Sequence, residues 1–223
     1  MPARYRVDPV RPRPFPKPGG GVRLLAELTP RDTAAWERLG RLAARLVEPR
    51  LSGGVLAERL RPAPDRWLRP SLDAALRRAR SLACRFATGS EVVSADVRAC
   101  YASMDPSVVA VALAAAGAPR GDSALAADML EGWGSEGYAG LPIGPPASAA
   151  VANAVLLRVD RGLGATPFLR WVDDYLLPAG LLDRLDEGLD AVGLERSIEK
   201  TVEGRAGVWL GGPEPYPPIP GTR

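Results

Sequence analysis

Histidine is absent from all 223 residues. With it go the Ser-His-Asp and Cys-His nucleophile systems, histidine-ligated zinc and any histidine general base. Two cysteines, Cys84 and Cys100, are too few for a disulfide framework, so a reducing cytoplasm is the expected compartment. No apolar run approaches the roughly 18 residues of a membrane helix. The opening MPARYRVDPVRPRPFPKPGG lacks the apolar segment of a secretory signal. Glutamine is missing, asparagine occurs only as Asn153, and lysine only as Lys17 and Lys200. Any chemistry here must run on carboxylates, cations and metal.

What is present is ordinary for a globular chain: 46% hydrophobic and 25% charged residues. The net charge of +3 hides an uneven distribution. Residues 1–80 carry 18 Lys/Arg against 8 Asp/Glu, or +10, and residues 81–223 carry the other 11 against 18, or −7. A basic first part of this kind implies a polyanionic partner.

Seven of the 23 prolines lie in residues 1–30 and five in 213–220, so both ends read as extended or non-helical. Thr29-Pro30-Arg31-Asp32 places a cap, a first-turn proline and a first-turn acid ahead of the stripe Trp36, Leu39, Ala43, Leu46 and Val47. Further helices are predicted near Ser71–Phe86, from Pro106 to Gly117, briefly after Asp122, over Ala147–Arg161 and over Leu181–Val192. Strands are predicted at Glu91–Asp96, on either side of Asp173-Asp174, at Ser197–Val202 and at Gly207–Leu210. Residues 132–146 read as a Gly/Pro-rich loop. Trp36, Trp67 and Trp133 read as packing residues. Mixed helices with late hairpins favour an α+β fold over a parallel α/β sheet.

Three acids stand out. Asp96 ends a strand, and Asp173-Asp174 sits between two apolar runs. Taken alone, these are a strand-end residue and a polar turn. If they converge, two carboxylates about 4 Å apart repel by roughly 4 kcal/mol at an effective dielectric of 20, and a cation must join them. Mg²⁺ suits oxygen ligands and bridges carboxylates to phosphates.

The order of the motifs is more telling than any one of them. Ala95-Asp96-Val97-Arg98-Ala99-Cys100-Tyr101 resembles motif A of reverse transcriptases. Gly140 to Ser148, with Ala152-Asn153 and Asp160, resembles motif B. Leu169-Arg-Trp-Val-Asp-Asp-Tyr175 resembles motif C. Gly193-Leu194 and Glu199-Lys200-Thr201 are similar to motif D, and Val208-Trp209-Leu210-Gly211 to the primer-grip hairpin. Phe15-Pro-Lys17, Gly20-Gly21, Arg23 and Leu28 to Asp32 resemble the fingers segment. The pattern looks closest to compact bacterial reverse transcriptases, including defence-associated groups.

The resemblance implies a right-hand polymerase with fingers in residues 1–90, a palm with an antiparallel sheet in 91–212 and a proline-rich tail in 213–223. It implies Asp96, Asp173 and Asp174 as catalytic metal ligands, with the Val97 carbonyl completing a site for two Mg²⁺ ions that Mn²⁺ could replace. Lys200 would protonate the leaving pyrophosphate. Lys17 and Arg23 would contact the triphosphate, and Tyr101 would exclude the sugar 2′-hydroxyl. Pro142, Ile143 and Gly144 would lie against the nucleotide, and Trp209, Leu210 and Gly211 would grip the primer.

Two departures matter. Ile143 stands where the retroviral pattern has a glutamine that positions nucleotide and template. Only twelve residues, five of them proline, follow Gly211, so no thumb is expected, and a protein partner or homo-oligomer would supply the grip. The expected activity is RNA-directed DNA synthesis from dNTPs, with RNA template, DNA primer or product, and no membrane. The alternatives are template-independent or protein-primed synthesis in phage defence, and a non-catalytic nucleic-acid-binding module.

Overall fold

The computed structural model describes residues 5–16, 21–57, 59, 77 and 90–205. The predicted helix near Ser71–Phe86, the strand at Gly207–Leu210, and residues Lys17, Trp67, Cys84, Trp209, Leu210 and Gly211 lie outside them. The chain is α+β. It divides into two compact units interleaved in sequence, one of residues 1–15, 22–50 and 99–158, the other of residues 16–21, 51–98 and 159–223.

The first unit is mainly helical. Strands β1 (Arg11–Pro16) and β2 (Val22–Glu27) form a two-stranded sheet. Pro12, Pro14 and Pro16 share one parity, so Arg11, Arg13 and Phe15 keep the N–H groups that a ladder needs. Helix α1 (Pro30–Val47) starts as its sequence requires: Thr29 caps it, accepting from the Asp32 N–H, and Pro30 occupies the first turn. Trp36, Leu39, Ala43 and Val47 are buried, and Leu46 is half-buried. The Trp36 ring meets Trp133 edge-on at 5.4 Å, and its indole N–H donates to the Ser148 hydroxyl at 2.9 Å. A Cβ on Gly40 would collide with Ala147, so only glycine permits this approach of α1 to helix α4 (Pro146–Gly162).

Asp105 caps helix α2 (Pro106–Ala115), accepting from the Ser107 N–H at 2.8 Å, and the chain leaves through Gly117 at φ 97°. Helix α3 (Arg120–Ser135) corrects two expectations. Its cap position is Pro119, with Asp122 one turn inside, and it runs on through residues 132–135, which read as loop. Two glycines cost such a helix roughly 1 kcal/mol each. Burial of Trp133 outweighs that cost, and Gly132 admits Val7, whose side chain would stand 2.6 Å from a Cβ there.

The second unit holds a four-stranded antiparallel sheet in the order β4-β5-β3-β6, built from β3 (Glu91–Val97), β4 (Leu169–Trp171), β5 (Asp174–Pro178) and β6 (Arg196–Arg205). β3 and β5 are the inner strands, and β3 is buried at Val92, Val93, Ala95, Asp96 and Val97. Helix α5 (Leu182–Asp190) is shorter than predicted, because a 3₁₀ turn, Ala179–Leu181, takes its start. It buries Leu185 and Leu189, and a Cβ on Gly188 would lie 3.2 Å from the Val159 side chain. Among the described residues, no helix is long and apolar enough to cross a membrane.

Candidate active site

Two of the three acids face each other across the inner strands of the second unit, and the third lies in the adjoining turn. β3 and β5 pair in a register that sets Asp96 directly opposite Asp174. Asp173 precedes Asp174 in the turn, and its carbonyl accepts from the Val97 N–H at 3.1 Å. That bond extends the β3–β5 pairing one residue into the turn, so Asp96, Val97, Asp173 and Asp174 form one backbone-linked group.

The turn is unusual. Trp171 pairs with Asp174, leaving Val172-Asp173 as a two-residue hairpin loop. Val172 has φ 57°. Hairpins of this length put glycine or asparagine at positive φ, and a β-branched residue held there stores about 1–3 kcal/mol. The neighbouring structure must therefore impose the conformation.

Beneath the turn lies a polar cluster in the core. Arg170 is completely buried. Its Nε and Nη2 donate to the two carboxylate oxygens of Asp160 at 3.0 and 2.8 Å, and its Nη1 donates to the Val172 carbonyl at 2.8 Å. Tyr175 donates its hydroxyl to the same carboxylate at 2.9 Å, with its ring centre 5.8 Å from the guanidinium. Removing one partner from such a buried pair costs about 3–5 kcal/mol, because the other charge stays stranded. On its other side, the Arg170 backbone binds the Gly54 carbonyl and the Leu56 N–H, each at 2.9 Å.

Lys200 arrives through an irregularity in β6. Between the pairs Ser94–Val202 and Asp96–Ser197, β6 advances five residues (197 to 202) while β3 advances two (94 to 96). The three extra residues carry Lys200 back to Asp96, where Nζ lies 2.8 Å from Oδ2. This contact, followed by the charges of the three aspartates, raises the Lys200 pKa. Asp174 moves the other way in charge: burial first, then the neighbouring Asp173 and Asp96, pushes its carboxyl up to about 7, against a smaller opposing pull from Lys200.

As the side chains lie, no three carboxylates among the described residues are gathered closely enough to chelate one ion. The donor set still fits a hard divalent cation. Its candidate donors are oxygens, and a carboxyl kept partly protonated by burial and then by its acidic neighbours is a group that a nearby cation would ionise.

The other described residues singled out from sequence belong to the first unit. Tyr101 is half-buried in the turn after β3, and its carbonyl accepts from the Leu141 N–H at 2.8 Å. Gly140, at φ 73°, lies so close to the Tyr101 and Ala102 backbone that a Cβ would collide with it. Pro142 is buried, Ile143 half-buried and Gly144 exposed at φ 119°. Ile143 is held on both sides: its N–H donates to the Tyr138 hydroxyl at 3.0 Å, and its carbonyl accepts from the Ala26 N–H of β2 at 2.7 Å. Arg23 is exposed on β2. Thus Tyr101, Pro142, Ile143 and Gly144 are one backbone-linked group, and the aspartates with Val97 and Lys200 are another.

Sequence reading missed the Arg170 cluster and the Tyr138 hydroxyl. The signal for Arg170 was available: an arginine inside a short apolar strand must find a buried carboxylate.

The fold is shared with a solved structure. The particular likeness is to the structure of apo telomerase from Candida tropicalis, truncated from its C-terminal domain, with a TM-score of 0.56 and 12% sequence identity. The match covers 89% of this chain and 51% of that one, so this chain spans about half of its length. At this identity the likeness defines the fold alone. No family model matches the sequence, and no curated protein matches it.

Proposed function

We propose that the chain is a nucleotidyltransferase that adds dNTPs to a 3′-hydroxyl, copying RNA. The single observation that carries this reading is Asp96 facing Asp174 across adjacent inner strands, with Asp173 in the turn between β4 and β5. The shared fold with a telomerase supports it, as does the motif order along the chain.

Asp96, Asp173 and Asp174, with the Val97 carbonyl, would hold two divalent cations. If bound there, such ions would supply Lewis-acid stabilisation of the attacking hydroxyl and the leaving pyrophosphate. Every other role falls to the chain itself. On this reading the acids, held by the β3–β5 register and the adjoining turn, would set where the phosphate lies. Lys200 now serves as counter-charge to Asp96. Released from that carboxylate, its ammonium can pass a proton to the departing pyrophosphate oxygen. Tyr101 is assigned to exclude the 2′-hydroxyl, Lys17 and Arg23 to the triphosphate, Pro142, Ile143 and Gly144 to the nucleotide, and Trp209, Leu210 and Gly211 to the primer. On this reading the basic residues 1–90 are fingers and 91–212 the palm. A partner chain or second copy would grip the duplex.

A second reading, template-independent or protein-primed synthesis of the kind used in phage defence, is favoured by Ile143. Its backbone N–H is already donated to Tyr138 and its side chain has no polar atom, so the side chain cannot hydrogen-bond a base as a glutamine would.

The test is dNTP incorporation with Mg²⁺ or Mn²⁺, on a primed RNA template and with no nucleic acid, beside Asp173→Ala. Template-copied product supports the first reading, and product without template supports the second. Nucleic-acid binding without incorporation, unchanged by Asp173→Ala and by chelation, would leave a non-catalytic binding module.

A further inference from the structure

Val172 sits at φ 57° with nothing in its own chemistry to favour it. It forms the loop with Asp173, whose carbonyl is tied to Val97. Within the core of the same unit, a completely buried guanidinium spends two of its donors on Asp160 and a third on the Val172 carbonyl. The Asp160 carboxylate is itself oriented by the Tyr175 hydroxyl, from the residue after Asp174.

We propose that Asp160, Arg170 and Tyr175 act as positioning residues that clamp the Val172 carbonyl, hold the turn in its left-handed conformation and so set the placement of Asp173 and Asp174 for a divalent cation. The cation part rests on the polymerase reading above, whereas the clamp itself does not.

The logic is geometric. A guanidinium is a rigid fork, so two bonds to one carboxylate fix its plane and leave Nη1 with a defined direction. That direction ends on the carbonyl of the one residue in the hairpin that needs holding. Asp160 comes from the last turn of helix α4 and Arg170 from β4, so the turn is referenced to that helix end as well as to its own strand. Tyr175 fixes the carboxylate that fixes Arg170. Any of the three can therefore move the aspartates without touching substrate or metal.

The test must remove the clamp without stranding a charge. The variant Asp160→Leu/Arg170→Met/Tyr175→Phe replaces the cluster by apolar groups, a change that buried ion pairs tolerate. It is compared with the native chain, with the same variant carrying Val172→Gly, and with Val172→Gly alone. Three measurements are made on each: urea unfolding, hydrogen exchange of the Val97 amide in EDTA, and Mn²⁺ binding followed by the electron paramagnetic resonance of free Mn²⁺. The clamp-free variant should unfold cooperatively near the native midpoint. Its Val97 amide should exchange about tenfold faster and its Mn²⁺ affinity should fall by about tenfold. Glycine needs no clamp at positive φ, so adding Val172→Gly should bring both values back to within roughly threefold of native.

Native Val97 protection in a folded clamp-free variant overturns the proposal. So does a loss that Val172→Gly does not restore, since that would be general loosening. If the native chain binds no Mn²⁺, the polymerase reading fails while the exchange measurement still decides the clamp. If the triple variant does not fold, Arg170→Lys serves. It keeps a cation on Asp160 but loses the fork that reaches Val172, and the same exchange and glycine-rescue results are required of it.

Discussion

Asp174 offers a test of the site that needs neither substrate nor metal. Its carboxyl is raised from 3.8 to about 7, chiefly by burial and then by Asp173 and Asp96. An acid whose pKa is raised by folding binds its proton more tightly in the folded state. It therefore costs no stability below about pH 4, and it destabilises progressively as pH rises from there to 7. Each pH unit in that window costs about 1.4 kcal/mol, so three units give an upper bound of about 4 kcal/mol. Residual solvation of a half-buried group lowers this to on the order of 2–4 kcal/mol. Asp174→Asn removes the titration and keeps the shape. In EDTA at pH 8 the variant should be more stable than the native chain by that amount, equivalent to roughly 4–16 °C in Tm for a chain of this size. At pH 4 the two should coincide. Urea unfolding of both proteins at half-unit pH intervals reads the difference directly, and carboxylates that do not interact with Asp174 cancel between them. A constant difference from pH 4 to pH 8 would refute the argument, since the aspartates would then not share one field.

Other consequences are quicker to check. Lys200→Ala removes the counter-charge from Asp96 and should slow nucleotide incorporation by roughly 10²-fold or more, as expected for loss of a general acid; an unchanged rate would leave Lys200 as a surface ion pair. Tyr101→Ala should admit ribonucleotides, read as the ratio of rNTP to dNTP incorporation, and an unchanged ratio would remove Tyr101 from the sugar site. Gly40→Ala should destabilise the helical unit by about 1–3 kcal/mol in urea, because its Cβ must displace Ala147. Trp36→Phe should cost about 1–3 kcal/mol by the same measurement, since the buried Ser148 hydroxyl loses its donor at 2.9 Å.

Much of the fold was legible because local signals and burial agreed. Thr29-Pro30 and Asp105-Pro106 start helices where capping chemistry says they should. The two apolar runs around Asp173-Asp174 form the expected hairpin, although its loop is Val172-Asp173, one residue earlier than the acid pair itself. Where the reading failed, tertiary packing overrode composition. Gly132 and Gly134 look like loop residues, yet they lie in a helix because Trp133 between them is buried against Trp36. Asp32 reads as a first-turn acid, which it is. Its complete burial under Asp8 and Tyr5, which donate to its two oxygens at 2.8 and 3.0 Å, depends on contacts 24 and 27 residues away that no local pattern encodes.

The same distinction governs the site. The acids could be found from sequence because each lies at a strand end or in the adjoining turn, where chemistry and position are both local. Their spacing could not, because it is set by three non-local choices: the β3–β5 register, the three-residue excess in β6 that returns Lys200 to Asp96, and the fork from Arg170 to Val172. Each opposes what the chain would do unaided. Like charges would separate, an edge strand would pair regularly, and valine would leave positive φ. A site assembled against these tendencies must draw its geometry from the surrounding core. Substitutions at Asp160 or Arg170, remote from any substrate, should therefore disturb the aspartates more than changes at the exposed ion pairs of Arg98 with Glu195 and Glu199 on the same unit.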